Sequence, residues 1–302
     1  MRLSILSSGS SSFQISLRLI LLLFFLNVSQ DILAQTNSRE EAEQKKIAEI
    51  LKKTAEYCNK LEKAALDFVC IEEISERIDL SRDIIPSQSA LLKSGSGSTI
   101  VRRAETFKNN KYKYDYQLIR KGNEIKESRI LLEENSQRKF DKNANLKTEV
   151  FTFNKFFFGP LAVLSQERQN YYDYKIIDEE MLNDEKVVLI EAIPKPALTQ
   201  NIIFGKIWIR ESDYSIMKIE WNQKSITNFW VLEERAKRYK ADPEITTITE
   251  FWIEKNTIRF PAKCFIEEAY INKKGRKFTR SETTVYYKDY KFFTVETEIW
   301  LE

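Results

Sequence analysis

From Tyr172 onward the chain is a succession of strand-length segments joined by short polar turns. Tyr172–Asp178 and Lys186–Ile193 flank Asn183-Asp184, and Ile203–Arg210 and Ser215–Trp221 flank Ser212-Asp213. Thr246–Glu254 and Thr257–Tyr270 flank Lys255-Asn256. The turn Asn272-Lys-Lys-Gly275 leads into Lys277–Lys288 and a last strand, Phe292–Trp300. Turns this tight join antiparallel neighbours, so the pattern predicts a meander. A helical stretch, Asn228 to Tyr239, interrupts it and is expected to end at Asp242-Pro243.

The first half adds to the same sheet. Tyr112, Tyr114, Tyr116 and Leu118 alternate with Lys111, Lys113, Asp115 and Gln117, a clean period of two. Lys121-Gly122-Asn123 turns the chain into Ile125–Glu133, and Phe68–Ile78 is a further extended segment. Ahead of it, Ile47, Ile50, Leu51, Thr54, Cys58, Leu61 and Ala65 recur at offsets of three and four and predict one amphipathic helix. Leu161 and Leu164 fit a short helix after the Phe158-Gly-Pro break. Residues 81–99, rich in Ser, Gly and Pro, read as a long flexible loop. The expected fold is α+β and mostly β. It is a curved antiparallel sheet of about ten strands, an incomplete, unclosed β-barrel. A long N-terminal helix and one or two short helices cover its concave face.

At the N-terminus, Arg2 and Arg18 precede the apolar run Leu19–Leu26, and Ala34-Gln35 offers a small residue for cleavage. This is the pattern of a secretory signal over residues 1–34, cut near Ala34. Residues 35–302 are then one domain, working in the periplasm. With no Cys at the cut, nothing indicates a lipid anchor, and the exported protein is expected to diffuse freely in the envelope space.

Composition narrows the chemistry. The chain has no His, which removes the commonest general base and metal ligand and rules out Ser-His-Asp and Cys-His catalysis. Only 7 Gly are present, without a phosphate-cradling loop or a Gly-x-Ser-x-Gly elbow. A net charge of +3 gives no support for nucleic-acid binding. The reading is therefore a non-enzyme without cofactor or metal. Glu72-Glu73, Asp178-Glu179-Glu180 and Glu233-Glu234 read as solvated faces, because adjacent carboxylates on a strand point apart. The basic turn Lys273-Lys-Gly-Arg-Lys277 reads as a solvated tip or a contact for anionic headgroups. Of 3 Cys, Cys264 reads as a core thiol. Cys58 and Cys70 allow either a disulfide across a helix-to-strand turn or two buried thiols.

Aromatic side chains at alternate strand positions either fill a core or line a cavity that a curved sheet with few helices cannot fill. The cavity reading takes Tyr112, Tyr114, Tyr116, Phe157, Leu161, Phe204, Trp208, Trp221 and Phe251 as its lining. Phe156–Phe158 is either a lid or a buried crossover.

The segment Phe204-Gly-Lys-Ile-Trp-Ile-Arg-Glu-Ser-Asp-Tyr-Ser-Ile-Met-Lys-Ile-Glu220 resembles a hairpin of the lipoprotein localisation factor (LolA/LolB-like) superfamily. Its form there is Gly-x-Ile-Trp-x-Asp-x-x-x-x-x-Ile-x-Lys-Ile. Thr257-Ile-Arg-Phe-Pro261, followed by a long hairpin, is similar to the outer-membrane lipoprotein-sorting branch. The resemblance implies a half-barrel closed by helices that holds acyl chains or a protein partner. On it, the chain is expected to be a carrier for a lipid, a lipoprotein acyl chain or another hydrophobic ligand, with transient membrane contact. The alternative it implies is an envelope sensor whose groove binds a protein.

Overall fold

The structure, a computed structural model, describes residues 41–63, 67–83, 106–121, 124–150, 159–196, 202–225 and 229–293. The expected signal segment, Phe156–Phe158 with Phe157, residues 84–99 of the loop and all but the start of the expected last strand lie outside them. The chain divides into two compact units, residues 1–50 and 51–302. The first is described over residues 41–50, which are helical; residues 41–63 together are α1.

The second unit is built on β1 (Asp67–Asp79), β2 (Phe107–Lys121), β3 (Glu124–Glu134), β4 (Gln137–Asp141), β5 (Tyr172–Leu182), β6 (Glu185–Pro194), β7 (Gly205–Arg210), β8 (Ile216–Trp221), β9 (Ala241–Glu250), β12 (Lys263–Asn272) and β13 (Lys277–Phe292). These make one 11-stranded sheet in the order β4-β3-β2-β1-β13-β12-β9-β8-β7-β6-β5, curved and not closed into a barrel. β10 (Ile253–Lys255) and β11 (Ile258–Phe260) form a separate hairpin. Three short α-helices, α2 (Gly159–Leu164), α3 (Gln166–Gln169) and α4 (Phe229–Tyr239), and a 3-10 turn at Gln223–Ser225 complete the described part.

The tight turns are chemically specified. Asn183 and Asp184 have φ of 50° and 62°, and Asn135-Ser136 and Asn256-Thr257 show the same double positive φ. That geometry matches the twist of the flanking strands, and Asn and Asp tolerate it best. The Asn135-Ser136 turn adds β4, which sequence periodicity does not reveal because all its residues are exposed.

Two expectations are corrected. Asp242-Pro243 does not end α4 in a loop; both lie in β9, opposite Ile271 and Tyr270. Proline is tolerated there because β8 pairs with β9 only from Thr247 to Glu250, leaving Pro243 on a free edge. The long hairpin expected over Thr246–Tyr270 is interrupted. β9 pairs with β12, while Phe251 turns aside to donate its N–H to Met217 O at 2.9 Å. The β10–β11 hairpin projects from that break.

The segment that carries the family resemblance is a structural clamp. Arg210 donates from Nε to Asp213 Oδ1 at 2.9 Å and from Nη2 to Oδ2 at 2.6 Å. Ser215 Oγ donates to the same Asp213 Oδ1 at 2.8 Å and accepts from Arg259 Nε at 3.1 Å. Tyr57 Oη on α1 accepts the Arg259 N–H at 2.9 Å. One turn thus holds the small hairpin and the helix. Gly205 is required beside it: a Cβ there would lie 2.1 Å from Glu220 O.

Burial pushes the Asp213 carboxyl up, but the hydrogen bonds from Arg210 and Ser215 outweigh it and bring it down from 3.8 to about 2. A depressed carboxyl stabilises the fold above its ordinary value and loses that contribution as pH falls through the folded one. Asp213→Asn is therefore expected to lower stability at neutral pH. Urea melts should show its deficit against wild type shrinking as pH falls from about 4 to about 2.

Candidate functional site on the inner face

Directly opposed residues share a face, so the register defines both faces of the sheet. One row runs Ile176, Ile190, Ile207, Ile219, Thr249, Cys264, Val285, Ile74 and Tyr112. The next row on the same face runs Tyr174, Ala192, Gly205, Trp221, Thr247, Ile266, Thr283, Glu76 and Asn110. This is the inner face. On the outer face, one row reads Leu189, Trp208, Lys218, Glu250, Lys263, Tyr286, Glu73, Lys113 and Glu133. Its charges alternate in sign over much of the sheet, and Lys113 bridges Glu73 and Glu133 at 3.5 and 3.8 Å. The outer face is water-facing ladder; the inner face is where apolar residues collect.

Each half of the inner face is covered. Over β5–β8, Tyr172 and Tyr174 donate from Oη to Ala162 O and Val163 O of α2 at 3.3 and 2.5 Å. Gln169 of α3 donates to Leu51 O of α1 at 2.7 Å, and the Trp221 ring lies against Gly159. Over β1, β2, β12 and β13, a cluster of Phe68, Tyr114, Tyr116, Val285 and Tyr287 with their neighbours fills the space. Segment 141–150 lies on it: Tyr112 Oη donates to Lys147 O, and Tyr114 Oη accepts the Lys147 N–H.

Three buried carboxylates on this face fasten neighbouring elements: the β3 strand, segment 141–150 and α4. Glu72, 0% exposed, takes Arg129 Nε at 2.6 Å, Arg129 Nη2 at 3.0 Å and Tyr287 Oη at 3.1 Å. Burial works against the Arg129 charge, but Glu72 outweighs it and holds the guanidinium protonated. Glu76 accepts the backbone N–H groups of Glu149 and Val150. Glu268 accepts from Arg235 of α4 at 2.5 Å and from Arg280, Tyr270 and Ser281. Arg280 also binds Asp83, to which Tyr239 of α4 donates. The solvated-face reading therefore holds for Glu73 and fails for Glu72. The alternation Phe68-x-Cys70-x-Glu72-x-Ile74-x-Glu76-x-Ile78 carries that signal, since it puts both carboxylates in phase with apolar residues.

The nine residues expected to line a cavity separate into groups. Tyr112, Tyr114 and Tyr116 are inner-face residues embedded in the packed cluster, the last two 0% exposed, so they are core. Leu161 on α2 and Trp221, whose ring lies against Gly159, are half-buried at the α2 end of the inner face; Phe204, also half-buried, precedes β7, and its O accepts the Asn222 N–H at 2.8 Å. Trp208 is a correction. Its register puts it on the outer face in a small cluster with Val187, Leu189 and Met217, its indole bound to Glu180 and Lys218 over its ring at 4.1 Å. Phe251 is buried at the base of the β10–β11 hairpin. Phe157 lies outside the described residues. Cys58 and Cys70 are free buried thiols, so the unbonded reading stands, and burial pushes Cys58 up to about 12. Cys264 is likewise a core thiol.

Between the two covered halves, periodicity misses two residues. Thr247 and Thr283 flank Ile266 in one row and are 1% and 0% exposed. Neither Oγ1 has a hydrogen-bond partner among the described residues. Buried hydroxyls without partners are uncommon and costly. No sequence signal finds them, because only register brings β9 and β13 to either side of β12.

No protein-family model matches this chain, and no curated protein does. Among solved structures it is similar to a LolA superfamily protein from Nitrosomonas europaea, at 13% identity, TM-score 0.35, covering 82% of this chain and 94% of that one. It is also similar to an outer membrane lipoprotein-sorting protein domain from Vibrio parahaemolyticus, at 12% identity, TM-score 0.40, covering 82% and 94%. A DUF1329 family protein from Desulfovibrio piger follows at 10% identity, TM-score 0.35, covering 81% and 92%. At such TM-scores the likenesses carry no information about ligand or partner.

Arg129→Met would leave Glu72 buried with Tyr287 as its remaining anchor. The expected loss is about 3–5 kcal/mol in urea unfolding, with much of it recovered in Glu72→Gln/Arg129→Met. A single-variant loss under about 1 kcal/mol would show the pair to be dispensable.

Proposed function

We propose that this chain is a non-catalytic carrier, exported to the cell envelope, that holds a hydrophobic ligand bearing a polar group against the inner face. The observation that carries this reading is the pair Thr247 and Thr283, two buried hydroxyls without partners set on either side of Ile266. They are donors and acceptors beside the apolar residues Ile266, Ile219, Cys264 and Val285, the kind of arrangement that fixes the orientation of a mainly apolar ligand. Trp221, its indole bound to Thr249 Oγ1 at 3.2 Å, is the neighbour of Thr247 in the row, and Glu76 is the neighbour of Thr283. Acyl chains meet these requirements, with the apolar rows for the chains and the threonines for an ester or amide.

The test is native mass spectrometry and organic extraction of the protein purified from the envelope fraction. The expected result is a retained lipid, and a change in tryptophan fluorescence on adding acyl ligands that is lost in Trp221→Phe. Thr247→Val and Thr283→Val should stabilise the extracted protein by up to about 1 kcal/mol each, since they remove an unpaired buried hydroxyl. The same variants should retain less ligand. Protein that carries no lipid, and whose variants behave like wild type, removes the reading.

A second reading has its own support. Among the described strands β5, of 11 residues, is an edge strand that pairs with β6 alone, so one side of its backbone has no strand partner among them and suits a protein strand. Cross-linking in cells that traps one protein partner, with no lipid extracted, would favour it.

A further inference from the structure

Two basic elements far apart in sequence meet at one end of the sheet. The β12–β13 turn carries Lys273, Lys274 and Arg276, all exposed. Its shape is fixed: Asn272 Oδ1 accepts the N–H groups of Lys274 and Arg276 at 2.9 and 3.1 Å, and Gly275 has φ of +72°. α4 ends beside it with Lys237 and Arg238, followed by Lys240 at φ 52°. Ala241 pairs with Asn272, which sets Lys240 next to Lys273. Lys237, Lys240 and Lys273 border one open cleft of about 430 Å³, together with Ala236, Pro243, Glu233 and Asp242.

Neighbouring charges are already spoken for. Lys237 holds Glu234 at 2.9 Å, and Lys277 holds Glu244 and Glu267 at 2.7 and 2.8 Å. Arg238, Lys240, Lys273, Lys274 and Arg276 have no ion-pair partner among the described residues. Two ordinary explanations account for the parts separately. Cations suit the C-terminal end of a helix, and lysines protect a hairpin tip. Neither accounts for both elements converging in a chain whose net charge is only +3.

We infer that this end of the molecule docks on an anionic lipid bilayer. The chemistry favours a surface over a single phosphate ion. The cations are exposed and spread over a rigid turn and a helix end, with no buried donor among them to enclose one anion. Trp230, 64% exposed, stands two turns back on α4 and supplies a side chain suited to the headgroup region. Among the described residues no helix is long and apolar enough to cross a membrane, so the contact is peripheral. It depends on the surface alone and stands or falls separately from the occupant of the inner face.

The test is co-sedimentation of the exported chain with vesicles of phosphatidylcholine alone and with phosphatidylglycerol added. Binding is expected only with the anionic lipid and should weaken as sodium chloride screens it. Each cation contributes roughly fivefold in affinity near an anionic surface, so Lys273→Gln/Lys274→Gln/Arg276→Gln should lose on the order of 100-fold. The exposed triple Arg138→Glu/Lys139→Glu/Lys142→Glu, on and after β4, changes net charge more and should lose less than about threefold. Circular dichroism confirms that both variants remain folded. Equal losses in the two variants, or no preference for the anionic vesicle, would falsify the inference. So would inorganic phosphate displacing the protein far better than chloride at equal ionic strength, which would mark a discrete anion site instead.

Discussion

Nine strands contribute one residue each to the row from Tyr174 to Asn110, and a slip of one residue in any pairing would turn every side chain beyond it to the other face. The sheet holds its register because the two faces differ so sharply. On the outside, Lys218, Glu250, Lys263, Glu73, Lys113 and Glu133 form a charged ladder suited to water. On the inside, Ile190, Ile207, Ile219, Cys264, Val285 and Ile74 form an apolar one. An open sheet of this width survives in water only if that second face is covered along its length.

The covers and the β3 strand are held by charge as much as by apolar contact. Glu72, Glu76 and Glu268 sit among apolar residues, and each fastens a different element: β3 through Arg129, segment 141–150 through backbone N–H groups, and α4 through Arg235. A buried carboxylate is costly alone and specific when paired, so each cover has one position that satisfies its anchor. The clamp of Arg210, Asp213, Ser215 and Arg259 does the same at the other end, joining the β7–β8 turn, the small hairpin and α1. These anchors leave Thr247, Ile266 and Thr283 between fixed supports.

A cavity lining and a packed core call for the same aromatic pattern along a strand. Tyr112, Tyr114 and Tyr116 alternate as a cavity lining would, yet the Phe68–Tyr287 cluster and Lys147 close over them. Trp208 lies in a hairpin that resembles a carrier family's, yet its ring belongs to the outer face, where Glu180 and Lys218 hold it. Aromatic alternation therefore marks a half-buried strand, without saying which side of the sheet is buried or whether the space above it is filled.

The strands, their antiparallel joining and most turns were legible in the sequence because they depend on neighbours a few residues apart. Asn183-Asp184 and Asn272-Gly275 specify their turns locally. Glu72, read from the sequence as solvated, is buried, although the alternation of Phe68 to Ile78 puts it in phase with apolar residues. What only the tertiary structure decided rests on pairing between distant segments. β1 lies between β2 and β13, so Glu72 meets Arg129 on one side and Tyr287 on the other. β12 lies between β9 and β13, so Thr247 and Thr283 face each other across Ile266. Pro243 and Phe251 show the same limit: whether a proline ends a strand, or a phenylalanine leaves one, depends on which neighbour needs its N–H, and that neighbour is chosen by the fold.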